Sequence, residues 1–346
     1  MVINLLAALI VFGIIILVHE FGHFLLAKKN GIGVVEFSIG MGPRLFSFDK
    51  GGTKYSLKIL PFGGSCMMLG EDEDTKDEKA FNNKPVWARI SVIAAGPIFN
   101  FILAFVFALI IIGVVGIDEP RLIGVMDGFP AQEAGLKEGD LITGLNGHRI
   151  RIYRDVQLYL MLHPGEDLQV EYERDGQTYE TVIVPQFSQE YQSYMMGITV
   201  SGYRTKTDSP LETIGYAAYE VKYWITTAVK SLGMLVQGQV KSNEIAGPVG
   251  IVNMIGETVE ESKAGGWIDI FLNLANMCVL LSANLGVMNL LPIPALDGGR
   301  LVFLFLEVVR GKPVDPEKEG MVHVVGMMFL MALMIVILFN DIRNLF

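Results

Sequence analysis

Four long apolar stretches restrict this chain to folds that a lipid bilayer can accommodate. They cover residues 2–27, 90–117, 270–309 and 322–339. A helix needs about 20 consecutive apolar residues to cross the hydrocarbon core. Only 18% of the residues are charged, against about 25% in ordinary soluble domains. The sequence therefore predicts a polytopic α-helical membrane protein with about four transmembrane helices.

The composition also excludes two classes of protein. The formal net charge is −10, and a nucleic-acid-binding surface would need a basic stripe to engage phosphates. The two cysteines, Cys66 and Cys278, both lie outside the polar central region, so the fold does not depend on a disulfide framework. We expect lipid rather than nucleic acid as the surroundings of the chain.

The segments between the apolar stretches indicate a hairpin and one inserted domain. Residues 34–48 and 53–64 contain short β-prone runs bounded by glycines and a proline, which is typical of a β-hairpin. Residues 118–202 are polar, with DG, NG and GD turn signals between short apolar runs. They predict a globular α+β domain inserted between the second and third spans.

A further helix is predicted after this domain. In residues 211–236, apolar side chains recur at helical spacing with charged ones mostly on the remaining surface. We interpret it as an interfacial amphipathic helix, the alternative being a helix packed on the globular domain. The sequence thus predicts four consecutive regions: residues 1–117 (two spans and hairpin), 118–202 (inserted domain), 203–265 (interfacial helix and linker) and 266–346 (last two spans).

Basic residues indicate which loops face the cytoplasm. Lys28 and Lys29 follow the first span, and Arg310 and Lys312 lie in the last loop. By the positive-inside rule both loops are cytoplasmic. Both termini and the inserted domain are then predicted to lie outside.

The first span contains the sequence HEFGH. On a helix, His19 and His23 project from one face, so both imidazoles can bind a single Zn²⁺. Glu20 can reach a water molecule at that metal and act as general base. Ionisable groups at membrane depth are expensive and usually functional. The alternative is a histidine pair hydrogen-bonded within a helix bundle.

A catalytic zinc needs a third protein ligand, for which Asp297 is the best candidate. The first span ends inward and the third enters from outside, so Asp297 reaches a depth similar to that of the histidines. It lies in a helix break, followed by Gly298 and Gly299, which suit a backbone that must bend toward a metal. The alternative is a helix cap at this break.

These motifs together resemble the bacterial site-2 protease family, and within it the RseP-like intramembrane metalloproteases. The resemblance rests on HEFGH, on GPIFN at 96–100, on NLLPIPALDGG at 289–299 and on the single inserted domain. Within that domain, FPAQEAGLKEGDLITGLNG at 129–147 is similar to bacterial protease PDZ modules. The enterobacterial proteins carry two PDZ domains, whereas this chain has room for one.

The resemblance implies a zinc enzyme that hydrolyses a peptide bond in or near a transmembrane segment of another protein. It implies a bacterial cell membrane, single-pass membrane proteins as substrates and an upstream extracytoplasmic protease that cuts first, as in regulated proteolysis of anti-sigma factors or signal-peptide remnants. The active site is expected near the cytoplasmic leaflet and the PDZ domain outside.

Substrate contacts are predicted at several positions. A strand at residues 53–60 can hold an extended substrate by edge pairing, which places Tyr55 and Leu57 at the substrate. Asn289, which matches the motif asparagine, and Asn100 are predicted to bind substrate too, although Asn289 can instead cap the helix break. The predicted peptide-binding groove of the PDZ domain is formed by four consecutive residues: Leu122, Ile123, Gly124 and Val125.

Two other classes of function remain as alternatives. A membrane-tethered PDZ adaptor with a structural metal site requires a fourth protein ligand and no open position. A polytopic transporter requires more charged residues within the spans than this sequence has.

Overall fold

The computed structural model describes residues 2–71, 75–200, 204–240 and 246–345. The chain forms two compact units, of which unit 1 comprises residues 1–108 and 220–346 and unit 2 comprises residues 109–219. Unit 2 covers more of the sequence than the predicted domain at 118–202. The last two residues of that predicted domain lie outside the described part of the chain.

The helices are, in chain order, α1 (Val2–Lys29), α2 (Val86–Val115), α3 (Pro130–Glu133), α4 (Tyr153–Leu162), α5 (Pro210–Val236), α6 (Pro248–Ser262), α7 (Trp267–Leu290), α8 (Asp297–Arg310) and α9 (Pro316–Leu345). The strands are β1 (Val34–Lys50), β2 (Thr53–Met68), β3 (Ile117–Asp118), β4 (Leu122–Val125), β5 (Leu141–Leu145), β6 (His148–Arg149), β7 (Leu168–Arg174), β8 (Gln177–Ile183), β9 (Gln186–Ser188), β10 (Ser193–Met195), β11 (Ile198–Val200) and β12 (Arg204–Thr205).

Four helical segments among the described residues are long and apolar enough to cross a membrane, as predicted. They are Asn4–Lys29, Val86–Val115, Trp267–Leu290 and Glu317–Arg343. The third predicted stretch is broken where its prolines lie, because proline cannot donate the backbone hydrogen bond that continues a helix. Six residues, 291–296, separate α7 from α8.

Helix α1 is central to unit 1. Its first half, including Val11 and Ile15, packs with Ile255 of α6 and Cys278 of α7. Its second half ends at Ala27 in a separate cluster that includes the hairpin, α2 and α8. The HEFGH sequence lies between these two packed regions, so its side chains are held on a helix fixed at both ends. Helix α6 lies in the stretch predicted as a linker.

The hairpin of β1 and β2 folds back on itself. Phe37 lies opposite Cys66 on one side and Tyr55 on the other, and Tyr55 lies opposite Phe37 and Phe48. The four short segments therefore follow the order 64–68, 34–39, 53–58 and 44–50 across the sheet. Segment 53–58 is an inner segment, and segment 64–68 is at an edge.

Unit 2 is an α+β domain with its own core. Its four-stranded antiparallel sheet has the order β6-β5-β7-β8, and β4 pairs with β11. Buried side chains such as Leu136, Ile142 and Val170 form the core. Arg174 binds the buried carboxylate of Asp140 with two hydrogen bonds of 2.6 and 2.7 Å.

The beginning of α5, up to Tyr219, belongs to unit 2. Tyr219 donates a hydrogen bond to Asp155 of α4 at 2.9 Å, and the Arg151 guanidinium lies 5.0 Å from the centre of the Tyr219 ring. The first part of the predicted interfacial helix thus follows the alternative, a helix packed on the globular domain.

Candidate metal centre

Three potential metal ligands from two distant parts of the chain meet in unit 1. The Nε2 atoms of His19 and His23 are 3.3 Å apart, and Asp297 Oδ2 lies 3.3 Å from the first and 3.5 Å from the second. Both histidines are buried. The structure thus brings together the three residues that the sequence predicts as ligands.

The loop before α8 explains how Asp297 reaches the histidines. A Cβ on Gly298 would lie 2.1 Å from the Leu291 carbonyl oxygen, and one on Gly299 would lie 2.5 Å from that of Ile293. Both glycines are therefore required because the loop packs directly on the first turn of α8. The helix is preceded by Leu296 and has no side-chain cap at that position, so the alternative role of Asp297 as a cap is not supported.

The donor set fits a zinc ion. Ligand atoms about 2.0–2.1 Å from one Zn²⁺ at tetrahedral angles are about 3.3–3.4 Å apart, which agrees with the three observed distances. Asp297 Oδ2 is buried without a hydrogen-bond partner among the described residues. Three lone pairs at this separation repel each other unless a metal ion or a proton lies between them.

A hydrogen bond from α1 to α2 sets the tautomer of His23. His23 Nδ1 is 2.9 Å from the carbonyl oxygen of Val92. A carbonyl only accepts, so Nδ1 carries the proton and Nε2 presents its lone pair to the metal position. Partners of this kind orient metal-binding histidines.

His19 has its own partner on α2. Asn100 is fully buried, and its Nδ2 lies 3.2 Å from His19 Nδ1, while its Oδ1 has no hydrogen-bond partner among the described residues. Ligation through Nε2 requires a proton on Nδ1, which Oδ1 accepts after a 180° rotation of the amide. We therefore interpret Asn100 as a residue that positions His19. Its complete burial contradicts the predicted contact with substrate.

Gly96 of α2 makes room for both imidazoles. A Cβ at this position would lie 2.3 Å from His23 Nε2 and 2.7 Å from His19 Cε1. On the facing helix, a Cβ on Gly22 of α1 would lie 2.6 Å from the Ala95 carbonyl oxygen. The close approach of α1 and α2 at the metal centre thus requires glycine on both helices.

Glu20 lies beside the hairpin edge rather than among the ligands. A Cβ on Gly64 would lie 2.9 Å from Glu20 Cγ. At the end of this segment, the Met68 N–H donates to Glu71 at 3.4 Å. The predicted base is therefore in contact with segment 64–68.

The predicted edge pairing at Tyr55 and Leu57 is wrong, because residues 34–39 and 44–50 already occupy both edges of this segment. Within the described residues, segment 64–68 has a strand on one side only. The sequence identified the β-prone runs, but nothing in their alternation shows that the hairpin folds back on itself.

An ion pair between a buried carboxylate and an exposed guanidinium stabilises the hairpin. Arg44 donates to both carboxylate oxygens of Glu36, at 2.8 and 3.1 Å, and Lys58 lies 3.6 Å from the same carboxylate. The hydrogen bonds from Arg44 are the main cause that lowers the pKa of Glu36 from 4.5 to about 2. Glu36 is therefore ionised at all physiological pH values.

The remaining predicted residues lie elsewhere. Asn289 is half-buried near the end of α7. Ile123, Gly124 and Val125 are on β4, which pairs with β11. Leu122 contradicts the groove prediction, because its side chain is in the core of unit 2 and its N–H and carbonyl bond to residues 139–140.

Comparison with known proteins decides the family. The model of peptidase family M50 matches residues 7–333. The chain belongs to peptidase family M50, the site-2 protease family. It is 34% identical to the regulator of sigma-W protease RasP of Bacillus subtilis and 34% identical to the zinc metalloprotease RasP of Bacillus licheniformis, with 99% of both chains covered in each comparison.

A solved structure also resembles part of this M50 chain. The PDZ domain of the SdrC-like protein from Listeria monocytogenes is 23% identical, with a TM-score of 0.22, and the match covers 24% of this chain and 87% of that one.

Membership in M50 confirms two predictions made from the sequence. The chain is a zinc metalloprotease, and Zn²⁺ is its cofactor. The family and the four apolar helices also fit a membrane protein.

Proposed function

We propose that this protease hydrolyses a peptide bond within or near a transmembrane segment of another membrane protein, with His19, His23 and Asp297 as zinc ligands and Glu20 as general base. The observation that carries the proposal is the convergence of three ligand atoms within 4.8 Å of one another, next to a glutamate on the same helix. The two histidines lie on α1, which is long and apolar enough to cross a membrane.

The residues around the site have separate roles in binding the metal, orienting its ligands and transferring a proton. A zinc ion held by His19, His23 and Asp297 would supply Lewis-acid chemistry, lowering the pKa of a water molecule to about 7 and polarising a carbonyl group. Val92 and Asn100 orient the histidines, and Gly96 leaves space for both rings. Glu20 takes the proton of the attacking water and delivers it to the leaving amine.

A transmembrane helix hides its carbonyl groups in intrahelical hydrogen bonds, so the substrate must be unwound before it is cut. We propose that the unwound segment pairs with the hairpin edge at residues 64–68. Two observations support this edge: it lacks a second strand partner among the described residues, and it adjoins Glu20. Added strands commonly bind through main-chain hydrogen bonds at such an edge.

The ligand count favours catalysis over a structural metal site. Structural zinc sites use four protein ligands, whereas catalytic sites keep one position open. Among the described residues, the ligand cluster comprises only His19, His23 and Asp297. The rival adaptor function requires a fourth ligand at this cluster.

The decisive experiment uses Glu20→Gln in purified protein, with Glu261→Gln on the exposed surface of α6 as the control. The substrate is a single-pass protein whose transmembrane segment contains helix-destabilising residues. We expect Glu20→Gln to abolish cleavage and retain one zinc per chain by metal analysis, while the control cuts normally. Substantial cleavage by Glu20→Gln would remove its role as base. Tightly bound zinc with no cleavage by the unmodified protein would favour the adaptor.

We further propose that the active site lies near the cytoplasmic leaflet of a bacterial cell membrane and that the inserted domain, residues 118–202, is an extracytoplasmic PDZ domain. The basic residues Lys28, Lys29 and Arg310 support this orientation. The domain then filters substrates by size, so that an upstream protease must first remove a bulky outer part.

Deleting residues 119–202 with a short linker tests the filter. Untrimmed substrates should then be cut, and trimmed ones should be cut as before. Slower cleavage of trimmed substrates would indicate that the domain recruits them instead.

A further inference from the structure

The loop that carries Asp297 contains an unfavourable backbone conformation. Ala295 has φ of +76°, in a region where residues with a Cβ are disfavoured. Such a conformation persists only where surrounding contacts enforce it. Ala295 lies two residues before Asp297, so the contacts that hold it also determine where the carboxylate points.

Two residues of α9 supply contacts to this loop. His323 Nδ1 accepts a hydrogen bond from the Ala295 N–H at 2.9 Å. Gly326, one helical turn further, packs against the preceding residue, because a Cβ there would lie 2.4 Å from Pro294 Cβ and 2.7 Å from the Pro294 carbonyl oxygen. Residues at i and i+3 share one helix face, so a single face of α9 holds the loop.

The imidazole of His323 is itself oriented. Since Nδ1 accepts a hydrogen bond, the neutral ring carries its proton on Nε2, which lies 3.9 Å from Glu319 Oε1 one turn earlier on α9. The ring centre is 5.6 Å from that of Phe303 on α8, and the side chain is 17% exposed. Its acceptor atom is thereby directed at the Ala295 N–H.

We propose that α9 positions the third zinc ligand, with His323 and Gly326 as positioning residues that fix Ala295 and hence Asp297. The inference rests on the proposed role of Asp297 as a ligand. It assigns a role to a helix that contributes no ligand among the described residues, and to a histidine that has no spaced metal-ligand partner in the sequence.

The test measures zinc affinity by competition with a chelator, and the visible absorption of the Co²⁺-substituted protein, which reports coordination geometry. Loss of an outer contact to a metal ligand typically lowers metal affinity by about 10- to 100-fold. We expect losses of this size for His323→Ala and Gly326→Ala, with a changed Co²⁺ spectrum. Gly320→Ala is the matched control, since a Cβ there meets no described atom within 4 Å.

Two rescue variants separate positioning from a general effect on folding. Asn places Oδ1 where His places Nδ1, so His323→Asn should bind zinc within about threefold of the unmodified protein. Ala295→Gly removes the penalty on positive φ, so His323→Ala should lose less affinity in that background. The melting temperature of each metal-free variant is measured alongside.

The possible results lead to distinct conclusions. Unchanged zinc affinity in His323→Ala and Gly326→Ala, while Asp297→Ala loses zinc, would overturn the positioning role and leave the proposed site intact. Equal losses with and without Ala295→Gly, or no rescue by His323→Asn, would also overturn it. Unchanged affinity in Asp297→Ala would remove Asp297 as a ligand and overturn both proposals.

Discussion

Replacing Gly96 with alanine adds a single methyl group, and the structure predicts that this destroys the metal centre. In an unconstrained helix the same change stabilises by about 1 kcal/mol, because glycine is the poorer helix former. Here the added Cβ would lie 2.3 Å from His23 Nε2 and 2.6 Å from His23 Cε1. The sign of the effect is therefore expected to be reversed.

The size of the effect follows from these distances. Non-bonded heavy atoms prefer a separation of about 3.5 Å, so Nε2 must move away by about 1.2 Å or α2 must retreat from α1. Zinc ligands tolerate errors of only about 0.2 Å. We therefore expect at least one ligand bond to be lost and zinc affinity to fall by at least about 100-fold, which corresponds to about 2.8 kcal/mol.

The assay is chelator competition on protein purified in detergent, with Gly13→Ala as the control. Gly13 lies on α1, and a Cβ there meets no described atom within 4 Å. The control should bind zinc normally and melt at the same temperature or slightly higher. If Gly96→Ala retains normal zinc affinity, the imidazoles do not lie where the structure places them, and the assigned ligand geometry is refuted.

Three further predictions concern the surroundings of the site. Asn100→Leu should lower zinc affinity by about 10- to 100-fold, whereas Asn100→Asp keeps an acceptor for His19 Nδ1–H and should retain most of it; equal losses in both would contradict the positioning role. In Glu20→Gln protein, an oxidant should join Cys66 to a cysteine placed in the substrate segment, because neighbouring strands bring Cβ atoms to about 4.5–5.5 Å. Cross-linking of Tyr55→Cys but not of Cys66 would argue against the edge at 64–68. Glu36 has a lowered pKa, so its ion pair contributes stability that is fully present above the ordinary pKa of 4.5 and is lost progressively as pH falls from there through about 2. Arg44→Gln, which raises that pKa, should make the hairpin more susceptible to proteolysis at pH 7, and the difference from the unmodified protein should shrink as pH falls below 4.5; a difference that stays constant would contradict the role of this ion pair.

The ligands could be predicted from the sequence because each depends on short-range order or on depth in the membrane. His19 and His23 follow from helical spacing alone. Asp297 follows from the direction of the spans, which the basic residues Lys28 and Lys29 indicate, and from a helix break marked by prolines. The observed distances of 3.3 and 3.5 Å to the histidines agree with that reasoning.

The contacts between elements could not be predicted in this way. The sequence places the substrate edge at Tyr55 because β-prone residues show where a strand is. The neighbours of that strand depend on where a bulged hairpin folds back, which the residue pattern does not show. The sequence predicts a substrate contact for Asn100, but it does not show which helix this side chain faces. His323 has no spaced partner in the sequence, since its partner is a backbone N–H.

The parts of the site that the sequence did not show share one physical origin. In an apolar bundle a polar group needs a partner within the protein: His23 uses the Val92 carbonyl, His19 uses Asn100, and the Asp297 loop uses His323. Each of these contacts joins two elements, so the ligand positions are set by how α1, α2, α8 and α9 pack. Zinc binding and helix packing are therefore one linked equilibrium, and removal of zinc should weaken the contacts between these helices before it unfolds any one of them.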